Sequence, residues 1–340
     1  MHARPMNNRS SIPLGIGLVG VGRHGSRYVQ HLLHDVPGVA LTAICRRSGN
    51  GSYPGTHIPV YDDYHAMIAD PSVHAVVVVT PPALCHQICL TAVRAGKAVL
   101  VEKPLALNGR EARAMVAAAE QGGVPLMTAQ TMRFDPTILL LKEQLRTIGP
   151  LRSATLISHI ETRANVMAEE RGPVALGALL ELGVHLLDLI RFLSGEEIHE
   201  VQCTMMPSPN EGPETSAQVR LQTSGGILCT LDIARVEAER RGTAEWTGKS
   251  GTVKGDWVAR QLTRSADDGG SQSWTLEPRP TILAALQAFV QAVRTGTAPP
   301  VTGLDGCLAV EAADACYRSA ARHGAVMRCE HAFAIQLPRR

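Results

Sequence analysis

The sequence predicts an α/β protein that opens with a doubly wound parallel sheet. Three observations carry this. A glycine-rich turn, Gly20-Val21-Gly22-Arg23-His24-Gly25, follows an apolar run and opens a helical pattern. Strand-like and helix-like segments alternate through the first 130 residues. The strand-like runs are almost unbroken in β-branched and other apolar residues, as strands covered on both faces must be.

The first strand is the apolar run 14–19, and helical spacing over 26–34 places Tyr28, Leu32 and Leu33 on one face. Residues 39–45 form the second strand, and the valine-rich 73–79 the third. A helix over 84–95 ends at Gly96, a residue suited to a C-cap. A strand over 98–101, a helix over 109–121 and a strand over 124–129 complete the alternation, which predicts a parallel sheet wound by helices.

Composition excludes several functions. With 340 residues the chain exceeds the ~250–300 at which one core stops growing, so two cores are expected. Net charge is +2 and no long basic run occurs, which argues against nucleic acid as a partner. No apolar run approaches the ~18 residues of a membrane span. Residues 12–21 carry alternate glycines and run into the turn, so they read as a strand and not a signal peptide. The eight cysteines lack paired Cys-x-x-Cys spacing, and Cys85 and Cys89 read as one face of a helix. No metal site is expected, and reduced thiols fit a cytoplasmic protein.

The glycine turn has the context that gives it meaning, between a strand and a helix. Gly20 permits the tight turn, Gly22 lets a dinucleotide pyrophosphate approach backbone amides, and Gly25 lets the helix pack closely. Arg23 and His24 lie within the turn. An acidic residue about 20 positions further on ordinarily accepts the ribose 2′-hydroxyl of NAD. Here stand Arg46, Arg47 and Ser48, and guanidinium forks beside a hydroxyl suit the 2′-phosphate of NADP. NADP is the expected cofactor and NAD the alternative; the lesser reading is that the two arginines merely solvate the loop. Lys103, stopped by Pro104 at the end of a buried strand, suggests a catalytic base facing the nicotinamide.

Further motifs resemble those of the glucose–fructose oxidoreductase / inositol dehydrogenase / MocA (Gfo/Idh/MocA) oxidoreductases. They are Thr80-Pro81-Pro82-Ala83-Leu84-Cys85-His86, the segment 95–104 ending in Glu102-Lys103-Pro104, and Arg133-Phe134-Asp135-Pro136. The segment 177–188, with Glu181, His185 and Asp188, and the turn Gly248-Lys249-Ser250-Gly251 extend the match. The matches run collinearly from about residue 12 to 330. The resemblance implies a Rossmann NAD(P)-binding domain over 12–130 and an α+β domain over 131–335 with an open, mostly antiparallel sheet. Strands over 151–160, 200–206, 215–222 and 226–234 agree, with a Gly225-Gly226 hairpin and closing helices over 281–294 and 306–323. It also implies a homodimer or homotetramer formed through that sheet.

The chemistry implied is oxidation of a secondary alcohol, in which a base takes the hydroxyl proton as hydride leaves for the nicotinamide. An amine is ordinarily too basic for this, and burial near positive charge lowers its pKa. Lys103 is the expected base, and a cis peptide before Pro104 is common in the family. Thr80, Pro81, His86 and Glu102 join the cofactor residues. Glu181 and His185, four apart, share a helical face that Asp188 extends. Such an edge is ordinarily solvated; the resemblance makes His185 the acid/base partner of Lys103. Asp188 would hold the helix or the imidazole. Glu181 stands where sugar- and inositol-oxidising members usually have Asp, so its carboxylate would reach about 1 Å further, and positioning is sensitive on that scale. Arg133 and Arg163 are candidate substrate contacts, with Arg163 equally readable as a solvated loop residue. The scaffold also serves two other functions, glycosidases that oxidise a sugar transiently and non-catalytic cofactor-binding regulators.

Overall fold

The computed structural model describes residues 13–47, 51–161, 176–208, 212–236 and 239–329. A seven-stranded sheet is built from β1 (Leu14–Val19), β2 (Val39–Cys45), β3 (Gly51–Ser52), β4 (Pro59–Tyr61), β5 (Ala75–Val78), β6 (Ala98–Glu102) and β7 (Leu126–Ala129). Its order is β3-β4-β2-β1-β5-β6-β7, parallel except for β3 against β4. The strand order reverses beside β1, so the five long strands deliver their C-terminal ends to one edge, where ligands bind in such sheets.

Alternate residues of each strand enter two separate cores. Val76, Val78, Val99 and Val101 pack with α2 (Tyr64–Ala69), α3 (Pro82–Arg94) and α4 (Gly109–Gly122). Ala75, Val77, Ala98 and Leu100 face the other way, against α1 (Gly25–His34). That second face is completed by Ala285, Leu286, Phe289 and Val290 of α7 (Thr281–Thr295). A division at residue 131 assigns α7 to the second unit, whereas its buried side belongs to the first sheet. The cause is apolar area at the β7 side of this face, with Met127 and Ala129, that α1 alone leaves uncovered, and burying each large side chain is worth about 1.5–3 kcal/mol.

The second sheet follows α5 (Pro136–Gln144). It comprises β8 (Leu151–Glu161), β9 (Ile198–Met206), β10 (Ser216–Thr223), β11 (Leu228–Val236), β12 (Arg241–Gly248), β13 (Gly251–Asp256), β14 (Gln261–Ala266), β15 (Ser271–Thr275) and β16 (Met327–Arg328). The order is β15-β14-β13-β12-β8-β11-β10-β9-β16, antiparallel except for β8 beside β11. The expected Gly225-Gly226 hairpin joins β10 to β11, with Gly226 at φ +95°. The Gly248–Gly251 turn joins β12 to β13.

One face of this sheet, with Leu156, Val219, Leu231, Ile233 and Trp246, packs beneath α5, α6 (Val184–Ser194) and α8 (Gly303–Ala320). The other carries polar residues such as the exposed Thr155–Thr230 hydroxyl pair, 3.1 Å apart. A capping box of Thr302 and Asp305 starts α8. This helix touches α4 and β7 on one side and α6 and β9 on the other, bridging the two sheets.

No helix among the described residues is long and apolar enough to cross a membrane.

Candidate active site

The edge where β1, β2, β5, β6 and β7 end gathers most of the residues singled out in the sequence. Gly20 takes φ +95°, and a Cβ there would lie 2.2 Å from the Val79 carbonyl oxygen. A Cβ on Gly25 would lie 2.1 Å from the Gly20 carbonyl oxygen, so the start of α1 closes onto the turn only with glycine at both places. Gly22 differs, because a Cβ there would meet nothing within 4 Å. The turn is therefore closed behind Gly20 and Gly25 and open at Gly22.

α1 begins without a side-chain cap or an acidic residue in its first turn. The Ser26 and Arg27 N–H groups donate to the Gly22 and His24 carbonyls, and the positive dipole end of the helix faces the open turn, where it favours an anion. At the end of β2, Arg46 N–H donates to the Tyr61 carbonyl, while its guanidinium Nε is buried with no partner. Arg47 is exposed, and Ser48 lies outside the described residues. A buried donor without a partner is costly, and a phosphate oxygen would relieve it. These residues fit a dinucleotide. Asp62 and Asp63, after the neighbouring β4, also approach this strand end; burial, then these carboxylates, push the Cys45 thiol up to about 11. Thr80 and Pro81 follow β5 and lead into α3, on which half-buried His86 sits.

Glu102 ends β6 almost fully buried, and three donors converge on it. His24 Nε2 at 2.7 Å and the Tyr28 hydroxyl at 2.5 Å reach Oε1, and the Lys103 N–H at 3.0 Å reaches Oε2. Burial opposes its ionisation, but His24, Lys103 and Tyr28 together hold it below the usual carboxylate range. Burial and the Glu102 charge push the Tyr28 phenol well above its ordinary value, so it stays a donor. Glu102 thus ties His24 of the glycine turn to the backbone of Lys103. The Lys103–Pro104 peptide is cis.

Lys103 Nζ donates to the carbonyl oxygen of Glu181 at 3.0 Å. Here the local geometry departs from the sequence reading. Residues Leu179–Gly183 form a π-helical turn, not α-helix, and run directly into α6. Four residues from Glu181 to His185 therefore do not make one α-turn. The Glu181 carboxylate, expected further into the cleft, pairs with Arg235 near the end of β11. Arg235 also donates to the Leu176 carbonyl at 2.8 Å. Neither Arg235 nor the wide turn has a signal in the sequence.

His185 stands at the start of α6, its Nδ1 3.0 Å from Gln130 Oε1. Burial, then the charge of Lys103, hold its pKa well below 6.5, so the ring is neutral. Asp188 does not hold the imidazole. It takes both Nε and Nη2 of Arg133, at 2.8 and 2.6 Å, and is 1% exposed. Arg133, read from the sequence as a substrate contact, is 8% exposed and also reaches Asp305 at 3.1 Å. Its guanidinium is committed to fastening the start of the second unit to α6 and α8. Arg191 extends the network to Asp305 and Glu197. Arg163 lies outside the described residues. Among the described residues no group of three or more His, Cys, Asp and Glu could hold a metal ion.

The arrangement joins an anion-receptive glycine turn, a lysine at the end of β6, and a neutral histidine on the helix beside it. A model for the "Oxidoreductase family, NAD-binding Rossmann fold" matches residues 14–130, and one for the "GFO/IDH/MocA C-terminal domain" matches 140–254. Inositol 2-dehydrogenase 2 of Saccharopolyspora erythraea is 29% identical over 327 residues, covering 91% of this chain and 93% of its own length. Inositol 2-dehydrogenase 4 of the same organism is 30% identical over 333 residues, covering 91% and 93%. The solved scyllo-inositol dehydrogenase from Lactobacillus casei, with bound NAD(H) and scyllo-inositol, has a TM-score of 0.78 at 20% identity. It spans 93% of this chain and 99% of that one, a likeness of fold.

Proposed function

Because the chain belongs to the Gfo/Idh/MocA oxidoreductase family, we propose that it is a nicotinamide-dependent dehydrogenase preferring NADP. Its substrate would be a secondary hydroxyl or carbonyl of a polyol, sugar or related small molecule. The observation that carries this reading is the 3.0 Å bond joining Lys103 Nζ to the turn that leads into His185. It ties Lys103 of the dinucleotide-binding sheet to the second unit, near enough to His185 for the lysine's charge to act on that ring, which supports pairing the two as base and substrate-orienting group.

When bound, the nicotinamide supplies the hydride acceptor or donor. The chain's residues do the rest. The open Gly22 turn and the start of α1 bind the diphosphate. Arg46, with Arg47 exposed beside it, takes the 2′-phosphate, and its unpartnered Nε supports that preference over NAD. Lys103 Nζ receives the proton of the substrate hydroxyl, or returns it to a carbonyl in the reverse direction. Glu102 fixes the backbone from which Lys103 reaches. His185, neutral, orients the substrate oxygen.

Reduction of NADP should be screened over sugars and polyols, with Lys103→Ala as control. The expected result is turnover in the wild type and a loss of about 100-fold or more in the variant. Equal rates would refute the assignment of Lys103. Tighter binding of NAD than of NADP would refute the cofactor preference.

A further inference from the structure

Gln130 lies directly after β7, is 1% exposed, and places its side-chain carbonyl against His185 Nδ1. His185 has no other polar partner among the described residues. The residue is only part-buried, and its Nε2 has no partner among the described residues. A neutral imidazole carries one N–H and one lone pair, and an amide oxygen can only accept. We propose that Gln130 is a positioning residue that holds His185 as the Nδ1–H tautomer, so that Nε2 meets the substrate as a hydrogen-bond acceptor.

The consequence is chemical. A free histidine side chain in water favours the proton on Nε2, so this preference has to be imposed by the protein. Burial and the charge of Lys103 keep the ring neutral and so leave a tautomer to choose. The Gln130 amide nitrogen is buried without a partner. Turning the amide over would present a donor to Nδ1 and select the opposite tautomer, leaving the oxygen unpaired instead. The orientation found here makes Nε2 a lone pair. An acceptor at that point recognises an alcohol, which has an O–H to donate, and discriminates against the carbonyl form, which does not. In the binding complex the hydroxyl proton points at Nε2 while Lys103 donates to the oxygen; rotation about the C–O bond then turns that proton to the Lys103 amine, which takes it. Gln130 thereby biases the site toward binding the alcohol, a role that rests on the oxidoreductase reading above. It has no counterpart among the sequence motifs, because a lone glutamine after a strand carries no pattern.

The test is the protonation state of His185 in the whole protein labelled with 15N-histidine, read by long-range 1H–15N correlation and assigned with His185→Gln. The expected wild-type state is protonated Nδ1 and bare Nε2. Gln130→Met should move the proton to Nε2, whereas Gln130→Glu, which can only accept, should keep it on Nδ1. In Gln130→Met the KM of the alcohol should rise about five- to tenfold while that of the carbonyl falls, at unchanged cofactor Kd. A wild-type ring protonated on Nε2 would overturn the proposal without recourse to any variant, and so would an unmoved tautomer in Gln130→Met. Absence of turnover on every alcohol would sink the oxidoreductase reading while leaving the tautomer as measured, so the two failures are told apart.

Discussion

Replacing Arg46 by methionine separates the two nicotinamide cofactors. Methionine keeps the apolar stem and removes the guanidinium, whose Nε has no protein partner to lose. The Arg46 backbone bond to Tyr61 is unaffected. With NADP the variant forfeits a charge-assisted hydrogen bond worth ~1.5–3 kcal/mol. At 1.4 kcal/mol per decade this is about a ten- to hundredfold rise in Kd. With NAD, which has no 2′-phosphate, the change should stay within about twofold. The assay is titration of both cofactors at low and moderate salt, following intrinsic fluorescence or heat. The NADP penalty should shrink at higher salt, because salt screens the attraction between the Arg46 guanidinium and the 2′-phosphate that the variant removes. If Arg46→Met weakens both cofactors alike, or leaves NADP untouched, then the guanidinium does not read the 2′-phosphate and the reasoning fails.

Other perturbations follow from the same geometry. Gly22→Ala should leave the melting temperature nearly unchanged, since its Cβ enters open space, yet weaken the dinucleotide. Gly25→Ala should lower the melting temperature markedly, because its Cβ would lie 2.1 Å from the Gly20 carbonyl oxygen; the reverse pattern would contradict the description of the turn. Arg133→Met strands the buried Asp188 carboxylate and should cost about 3–5 kcal/mol, a drop on the order of 10 °C in a thermal melt. Adding Asp188→Leu should recover part of it, and a Tm unchanged in the single variant would show that the pair is not structural. His185 has a folded pKa below its unfolded value, so the unfolded chain binds the extra proton as pH falls. Its contribution is therefore fully present above about pH 6.5 and is lost below it. The stability difference between wild type and His185→Gln in urea should shift against the wild type between pH 7.5 and 5; a difference independent of pH would refute the buried neutral ring.

The sequence made the parallel sheet legible because its strands are covered on both sides. β1 and β2 coincide with the runs at 14–19 and 39–45, and the helix read at 109–121 runs from Gly109 to Gly122. Shorter pieces, β3, β4 and α2, carry two to six residues each, too few for periodicity to register. The strands β12 to β15 each carry a single large apolar residue, Trp246, Val253, Leu262 and Trp274, among polar and small ones, so apart from the Gly248–Gly251 turn their alternation is too sparse to register. Within the site, Gly20 and Gly25 were legible because the turn closes only with glycine at those places, and Lys103 stood out because it directly follows a buried strand. Arg133 was misplaced for a physical reason, since its partner Asp188 is 55 positions away and a buried ion pair looks in sequence like two polar residues. Glu181 was misread because an α-helical spacing was applied to a π-turn. Arg235 and Gln130 act through contacts that only folding creates.

The return of α7 to the first sheet bears on how the chain is made. Part of one side of the nucleotide-binding sheet, the part α1 does not reach, stays bare until Phe289 and Val290 have left the ribosome, some 160 residues after β7. Domains commonly fold in order of synthesis, but this one has to wait for nearly the whole polypeptide. Its first 130 residues would emerge with an exposed apolar surface that includes Leu100, Met127 and Ala129, which is what chaperones hold and what aggregates enlist. Cutting the gene after β7 to obtain a portable nucleotide-binding module would therefore remove a wall of that module, and any such excision needs residues 281–301 grafted back.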